Sequence, residues 1–309
     1  MRILLTVALL AVALLAGEAP IPAAARTLTA GPGQAYPSPS AAVAAAQDGD
    51  VIQIAPGSYY DCIATGLRIT IQGPATLTDK TCEGKALLVL KGAGSVVRDL
   101  TLARARVPDG NGAGIRLEAR DATIDRVRFE NNEVAVLGGS GHITLTGCDI
   151  TAGSAGMTAI LVGDAERLEL RDTNITVTHG LVLSSGAELT TITGGAIETA
   201  DRGIELGGPA TLAGVTVTLR GSATVFARAT AEGVTIRHTR LINLTGRPVA
   251  LLQDWAPGRP TLDLNQIGPG DQEVTTAGAL RHRASATLHG IKDGLRDLAR
   301  SAKHAVMGP

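Results

Sequence analysis

The sequence predicts an all-β fold, a single-stranded right-handed parallel β-helix (a solenoid) with a short N-terminal capping helix and a C-terminal amphipathic helix. The first observation is a repeat. Six-residue segments that begin and end on an apolar side chain start at Val97, Ile124, Leu145, Leu170, Ile192, Leu212 and Ile236, in steps of 20 to 27 residues. The second is a shorter motif running in step with them, as Gly114-Ile115-Arg116-Leu117, Val134-Ala135-Val136-Leu137, Ala159-Ile160-Leu161-Val162, Gly180-Leu181-Val182-Leu183, Gly203-Ile204-Glu205-Leu206 and Thr224-Val225-Phe226-Ala227. Two strand-length motifs per period, punctuated by Gly, Asn and Asp, make one coil of a stack. The third is composition: 38 Gly stand against three Tyr, two Phe and one Trp. Such a core is built from small branched side chains stacked many times.

Taken in chain order, the first element is a leader. Arg2, the apolar run Ile3 to Leu15 and then Ala23-Ala24-Ala25 have the layout of a secretory signal, and the run is short for a membrane span. Residues 1–25 are expected to be removed, leaving a mature chain that begins near Arg26, is secreted or periplasmic, and carries no transmembrane segment. The solenoid domain is expected over 26–280. Within it, Ser40 to Gln47 reads as an Ala-rich helix with a Ser cap, ended by Asp48-Gly49-Asp50. Val51-Ile52-Gln53-Ile54-Ala55-Pro56-Gly57-Ser58-Tyr59 follows as strand and turn. Cys62 and Cys82 lie about one repeat apart, so in an exported chain they are expected to form a disulfide on neighbouring coils. Cys148, inside the array, reads as a buried and unreactive thiol. Residues 281–309 form the tail, in which Leu288, Ile291, Leu295, Leu298, Ala302 and Val306 mark one apolar helix face. Arg281 to Lys303 carries six Lys or Arg against two Asp.

The Ala-rich helix, Gly49-Asp50-Val51-Ile52 and Ala55-Pro56-Gly57-Ser58-Tyr59 together resemble the opening of the pectin lyase-like superfamily. Coils such as Leu170-Arg171-Asp172-Thr173-Asn174-Ile175 are similar to its β-helix repeat, and the resemblance covers roughly residues 38 to 268. It implies the fold. Function is less constrained, because one scaffold carries many chemistries.

The net charge of −1 excludes nucleic acid, which requires clustered Lys and Arg. Candidate catalytic residues are Arg98, Asp99, Asp125, Arg126, Arg171 and Asp172, which take equivalent places on three coils, where cations and carboxylates could hold a sugar acid. The third coil interrupts them with Thr146-Gly147. Family motifs are absent: Gly246-Arg247-Pro248 is followed by Val249 rather than the Trp of pectin methylesterases. His142, His179 and His238 are isolated, so no metal is expected, and calcium enters only if the chain is a lyase. Trp255 is the one candidate for stacking on a sugar ring. Strict alternation in the second motif turns Val136, Leu161, Val182 and Phe226 outward, an apolar stripe that a polysaccharide, an envelope protein or the C-terminal helix could cover.

These features lead to an expected function of a non-catalytic binding or scaffold module for polysaccharide or protein in the cell envelope. The alternative expectation is a polysaccharide-modifying enzyme, lyase- or epimerase-like, acting on uronate-containing polymers.

Overall fold

The computed structural model describes residues 24–152, 158–254, 260–263, 265–267 and 272–274. Most of the expected leader, Trp255 and the tail helix at 281–309 lie outside the described residues. What is described is nearly all strand, wound into a parallel solenoid of about nine turns.

Each full turn has three strands rather than the two the repeat suggests, and they stack into three sheets. In sheet A the register aligns Leu28, Ile52, Ile71, Val97, Ile124, Leu145, Leu170, Ile192, Leu212, Ile236 and Leu262 in one inward column. In sheet B the column is Tyr59, Leu77, Leu102, Phe129, Ile150, Ile175, Ile197, Val217 and Leu241. Sheet C aligns Ile63, Leu88, Ile115, Val136, Ile160, Leu183, Ile204, Ala227 and Leu252. Rungs lie about 4.8 Å apart, so each aliphatic side chain is covered by its equivalents above and below. Full burial of one such side chain stabilises by about 1.5–3 kcal/mol, which is how a core poor in aromatics holds together.

The six-residue repeat spans the bend between sheets A and B. Its third residue takes a left-handed conformation: Asp99, Arg126, Gly147, Asp172, Gly194, Gly214 and His238 have φ between 47° and 66°. From Arg126 on, the N–H of each donates to the carbonyl of the residue before the bend one rung along, as in Arg126 to Thr146 at 2.8 Å and Gly147 to Arg171 at 2.9 Å. The ladder therefore continues through the corner, and the bend side chains are left pointing outward.

Sheet C departs from strict alternation. Two consecutive residues are buried early in most of its strands, as in Leu87-Leu88, Ala135-Val136, Val182-Leu183 and Phe226-Ala227. Glycine takes the first of the pair where a larger neighbour fills the space: a Cβ on Gly114 would lie 2.7 Å from Phe129 Cδ1. The apolar stripe is corrected as a consequence. Val136, Val182 and Phe226 are buried, and of the four only Leu161 is exposed, at 38%. The true outward column is Ala64, Val89, Arg116, Leu137, Leu161, Ser184, Glu205, Arg228 and Gln253.

The N-terminal end is closed by the helix Pro39–Ala44, which buries Pro39, Ala42 and Val43. Its cap is Ser38, two residues before Ser40, with Oγ accepting from Ala41 N at 3.2 Å; Pro39 then fits the first helical position, where no N–H is needed. Ser40 N donates instead to Asp61 Oδ2. Cys62 and Cys82 form the expected disulfide. Cys148 is fully buried beside the carbonyls of Ile124 and Thr146, and burial pushes its thiol up to about 11, outside the range of a nucleophile.

Two measurements follow. Phe129→Ala removes the largest fully buried side chain of the sheet B column and leaves a gap over Gly114, so it is expected to cost about 3–5 kcal/mol in urea unfolding; a loss under 1 kcal/mol contradicts this packing. Asp79 is held down at about 2, chiefly by the Arg104 side chain that pairs with it at 2.6 Å. Its contribution to stability is thus present above the ordinary carboxylate pKa and lost as pH falls towards about 2. Carboxyl NMR titration of Arg104→Ala is expected to show Asp79 raised towards its ordinary range, with the Thr78 hydroxyl still holding it below.

Candidate functional site

The six candidate residues fall into two neighbouring columns. Arg98, Asp125 and Arg171 take the last outward position of sheet A, in register Gln72, Arg98, Asp125, Thr146, Arg171. Asp99, Arg126 and Asp172 occupy the bend, with Gly147 between the last two. Arg98 and Asp125 are direct neighbours along the backbone, yet Arg98 Nε donates to Gln72 Oε1 at 2.5 Å, and Gln72 in turn reaches Gln53. Arg126 brings two carboxylates together: Nε and Nη2 bind Asp99 at 2.8 and 3.1 Å, and Nη1 binds Asp125. These acids hold the Arg126 guanidinium above its usual range, the hydrogen bond to Asp99 first among the causes. Arg171 turns away to Glu169, which Arg167 also contacts at 3.3 Å. The result is two exposed ionic clusters, Asp99–Arg126–Asp125 and Arg167–Glu169–Arg171, with Arg98 held by a neutral amide and Asp172 in neither of them.

A concave surface lies elsewhere, on the outer face of sheet C towards its C-terminal end. A groove of about 450 Å³ is lined by Ser184, Ser185, Gly186, Glu205, Leu206, Gly207, Arg228 and Thr230. Ser184, Glu205 and Arg228 are Cα partners on consecutive rungs, and Gln253 follows Arg228. Arg228 Nη1 stands 3.9 Å from Glu205 Oε1 on one side, and its Nε donates to Gln253 Oε1 at 3.1 Å on the other. The arginine is held by a neutral amide and only loosely by the acid, so both charged groups keep hydrogen-bonding capacity facing the groove. The floor is glycine because backbone lies directly beneath it: a Cβ on Gly186 would fall 2.5 Å from Gly163 O. The buried Ser185 hydroxyl is satisfied by Thr190 at 2.7 Å, which fixes the strand end below.

Gly246-Arg247-Pro248 is held at a corner, with Arg247 Nη2 donating to Gly221 O at 2.8 Å. His142 is exposed beside Glu166, and His238 sits at the bend. Among the described residues no three His, Cys, Asp or Glu converge as metal ligands.

No family model matches the chain, and no curated protein sequence matches it significantly. Solved structures do. The pectin methylesterase from Aspergillus niger is 14% identical, aligns over 84% of this chain and 89% of its own, and gives a TM-score of 0.50. The pectin methylesterase from carrot is 17% identical over 81% of this chain and 84% of its own, with a TM-score of 0.49. The fold is the right-handed β-helix of the pectin lyase-like class. The expectation of a non-catalytic binding or scaffold module is corrected here: the Aspergillus chain that shares the architecture is an enzyme, and the alternative expectation is the one carried forward.

The ion-pair run permits a direct check. Arg126→Ala breaks contacts that are exposed to solvent, with the guanidine side chain 57% accessible. Thermal denaturation is expected to show a loss under about 1 kcal/mol; a loss above about 3 kcal/mol means these charges are desolvated in solution.

Proposed function

We propose that this chain is an exported polysaccharide-modifying enzyme that acts on a uronate-containing polymer in the groove of sheet C. The observation that carries the proposal is the column Glu205–Arg228–Gln253, which sets a carboxylate and a guanidinium side by side over a glycine floor. The Cys62–Cys82 disulfide supports an oxidising compartment, and the Aspergillus structure supports a pectic polymer as the substrate class.

A uronate carboxylate pairs with the Arg228 fork through two N–H groups, and that charge makes the adjacent C–H more acidic. Glu205, on the neighbouring rung about 4.8 Å away, then accepts the proton. Expulsion of the glycosidic oxygen at the next carbon, which leaves as an alcohol by taking a proton from Glu205 or water, gives an unsaturated product, and protonation of the carbanion by water on the face opposite Glu205 gives the epimer. Gln253 holds Arg228 in position through its Nε, and Ser184 offers a hydroxyl to the next sugar. Calcium requires several oxygen ligands in one place, which the described residues do not provide, so no step is routed through it. The run at Arg98, Asp99, Asp125, Arg126, Arg171 and Asp172 is proposed as a second polar surface for the same polymer, outside the reacting centre.

The test incubates the purified protein with polygalacturonate, alginate and methyl-esterified pectin. Ultraviolet absorbance reports unsaturated ends, proton NMR reports epimerised units, and methanol release reports ester cleavage. Unsaturated or epimerised product is expected, with Glu205→Gln reducing turnover by about 10²-fold or more. Methanol release alone moves the reaction to an ester carbonyl in the same groove. An inert protein on all three polymers, or full activity in Glu205→Gln, overturns the proposal.

A further inference from the structure

The N-terminal end of the solenoid carries an ionic site that the enzyme reading leaves unused. Asp50 is 2% exposed, yet it is charged. Its Oδ1 accepts the backbone N–H of Arg26 at 2.9 Å. Its Oδ2 accepts Arg26 Nη2 at 2.5 Å and the backbone N–H of Gln47 at 2.8 Å. Arg26 Nε lies 3.2 Å from Oδ2 and 3.3 Å from Oδ1. The same Nη2 reaches Ala45 O at 3.2 Å, at the end of the capping helix. One carboxylate therefore ties the first strand of sheet A, the helix end and the turn before Val51 together. Arg26 is also the residue that follows the small-residue run Ala23-Ala24-Ala25, and Ala24 and Ala25 are exposed.

We infer that removal of the leader between Ala25 and Arg26 creates the second cation of this site, with the new α-ammonium of Arg26 binding the buried Asp50 carboxylate. The step is hydrolysis by a signal peptidase. Water adds across the amide, Ala25 leaves as a carboxylate, and the Arg26 nitrogen takes up protons to become an ammonium. Before the cut that nitrogen is a neutral amide with one hydrogen, already aimed at Oδ1. After it, the same contact carries a full positive charge with no movement of the strand, which stays anchored by Val51 N donating to Arg26 O at 2.8 Å. Maturation thus strengthens the closure of the solenoid's first rung.

The pH behaviour follows. The ionisable groups around this nitrogen are Asp50, the Arg26 side chain and Tyr36, with Asp48 and Arg68 at the adjoining turn. A free α-amine loses its proton at about 7.7–8.0, and a carboxylate in contact raises that value. The stabilisation is accordingly complete below the ordinary α-amine range and lost as pH rises through the raised one.

The experiment compares a chain beginning at Arg26 with one beginning at Ala24, whose α-amine lies two residues away. The Arg26 chain is expected to melt about 2–4 °C higher at pH 6, with the gap closing as pH rises through the alkaline range. Chemical acetylation of both chains is expected to abolish the gap, and this comparison does not depend on an Asp50 variant folding. Intact mass of the exported protein is expected to begin at Arg26. Equal melting at every pH, a gap that survives acetylation, or a different mature N-terminus overturns the inference. None of these readouts involves polysaccharide, so they stand or fall apart from the enzyme reading.

Discussion

A single rung of this solenoid cannot bury its own apolar side chains. It has one or two aliphatic positions facing the interior in each sheet, and only the rungs above and below can cover them. Parallel backbone ladders set the rung spacing, and that spacing brings Ile192 over Leu170 and Leu212 over Ile192 at van der Waals range. Loss of register in one strand would therefore uncover its neighbours on both sides. The left-handed bend belongs to the same constraint, because it turns the chain between sheets A and B while keeping the N–H of each bend residue in the ladder. At the N-terminal end, Thr27–Ala30 is the first rung among the described residues. The helix Pro39–Ala44 and the Arg26–Asp50 pair close that end.

Because the inward columns are fixed, the outward ones are fixed as well. On sheet C this sets a sequence of surfaces along the axis, from Val89, Arg116, Leu137 and Leu161 to Ser184, Glu205, Arg228 and Gln253. The first part is largely covered. A second apolar cluster of Ala86, Val89, Ala113, Val134 and Leu137 packs beside Cys82 on that outer side. Past Leu161, small residues at Ser184, Gly186 and Gly207 replace the bulk, and a groove opens. Its charged groups are spaced by the rungs themselves, so their geometry is inherited from the core.

Residues in the sequence predict the stacking well, and the site poorly, for a reason visible in the two motifs. Every start of the longer repeat, from Val97 to Ile236, falls in the inward column of sheet A, because an apolar residue there is always followed by two outward or bend positions. The same repeat concealed the third strand, since its bend residue is Gly in only some copies and Asp, Arg or His in others. The shorter motif misled by one or two residues in three copies. Its signature is two adjacent small or apolar residues, then one outward residue, as in Gly203-Ile204-Glu205 and Phe226-Ala227-Arg228. Strict alternation aligned Phe226 with Glu205, whereas the structure pairs Arg228 with it, and the Glu–Arg column was hidden by that slip. Asp99, Asp125 and Arg126 were found because charge stands out locally, although contact with one another is what occupies them.

The proposed binding surface is the outward column of sheet C, placed by the stacked core. A crystal structure of the protein with a short uronate oligosaccharide would locate the sugar. Density is expected along the groove, with a carboxylate on Arg228 and the adjacent C–H facing Glu205. Density on the Asp99–Arg126 surface with an empty sheet C groove would contradict it.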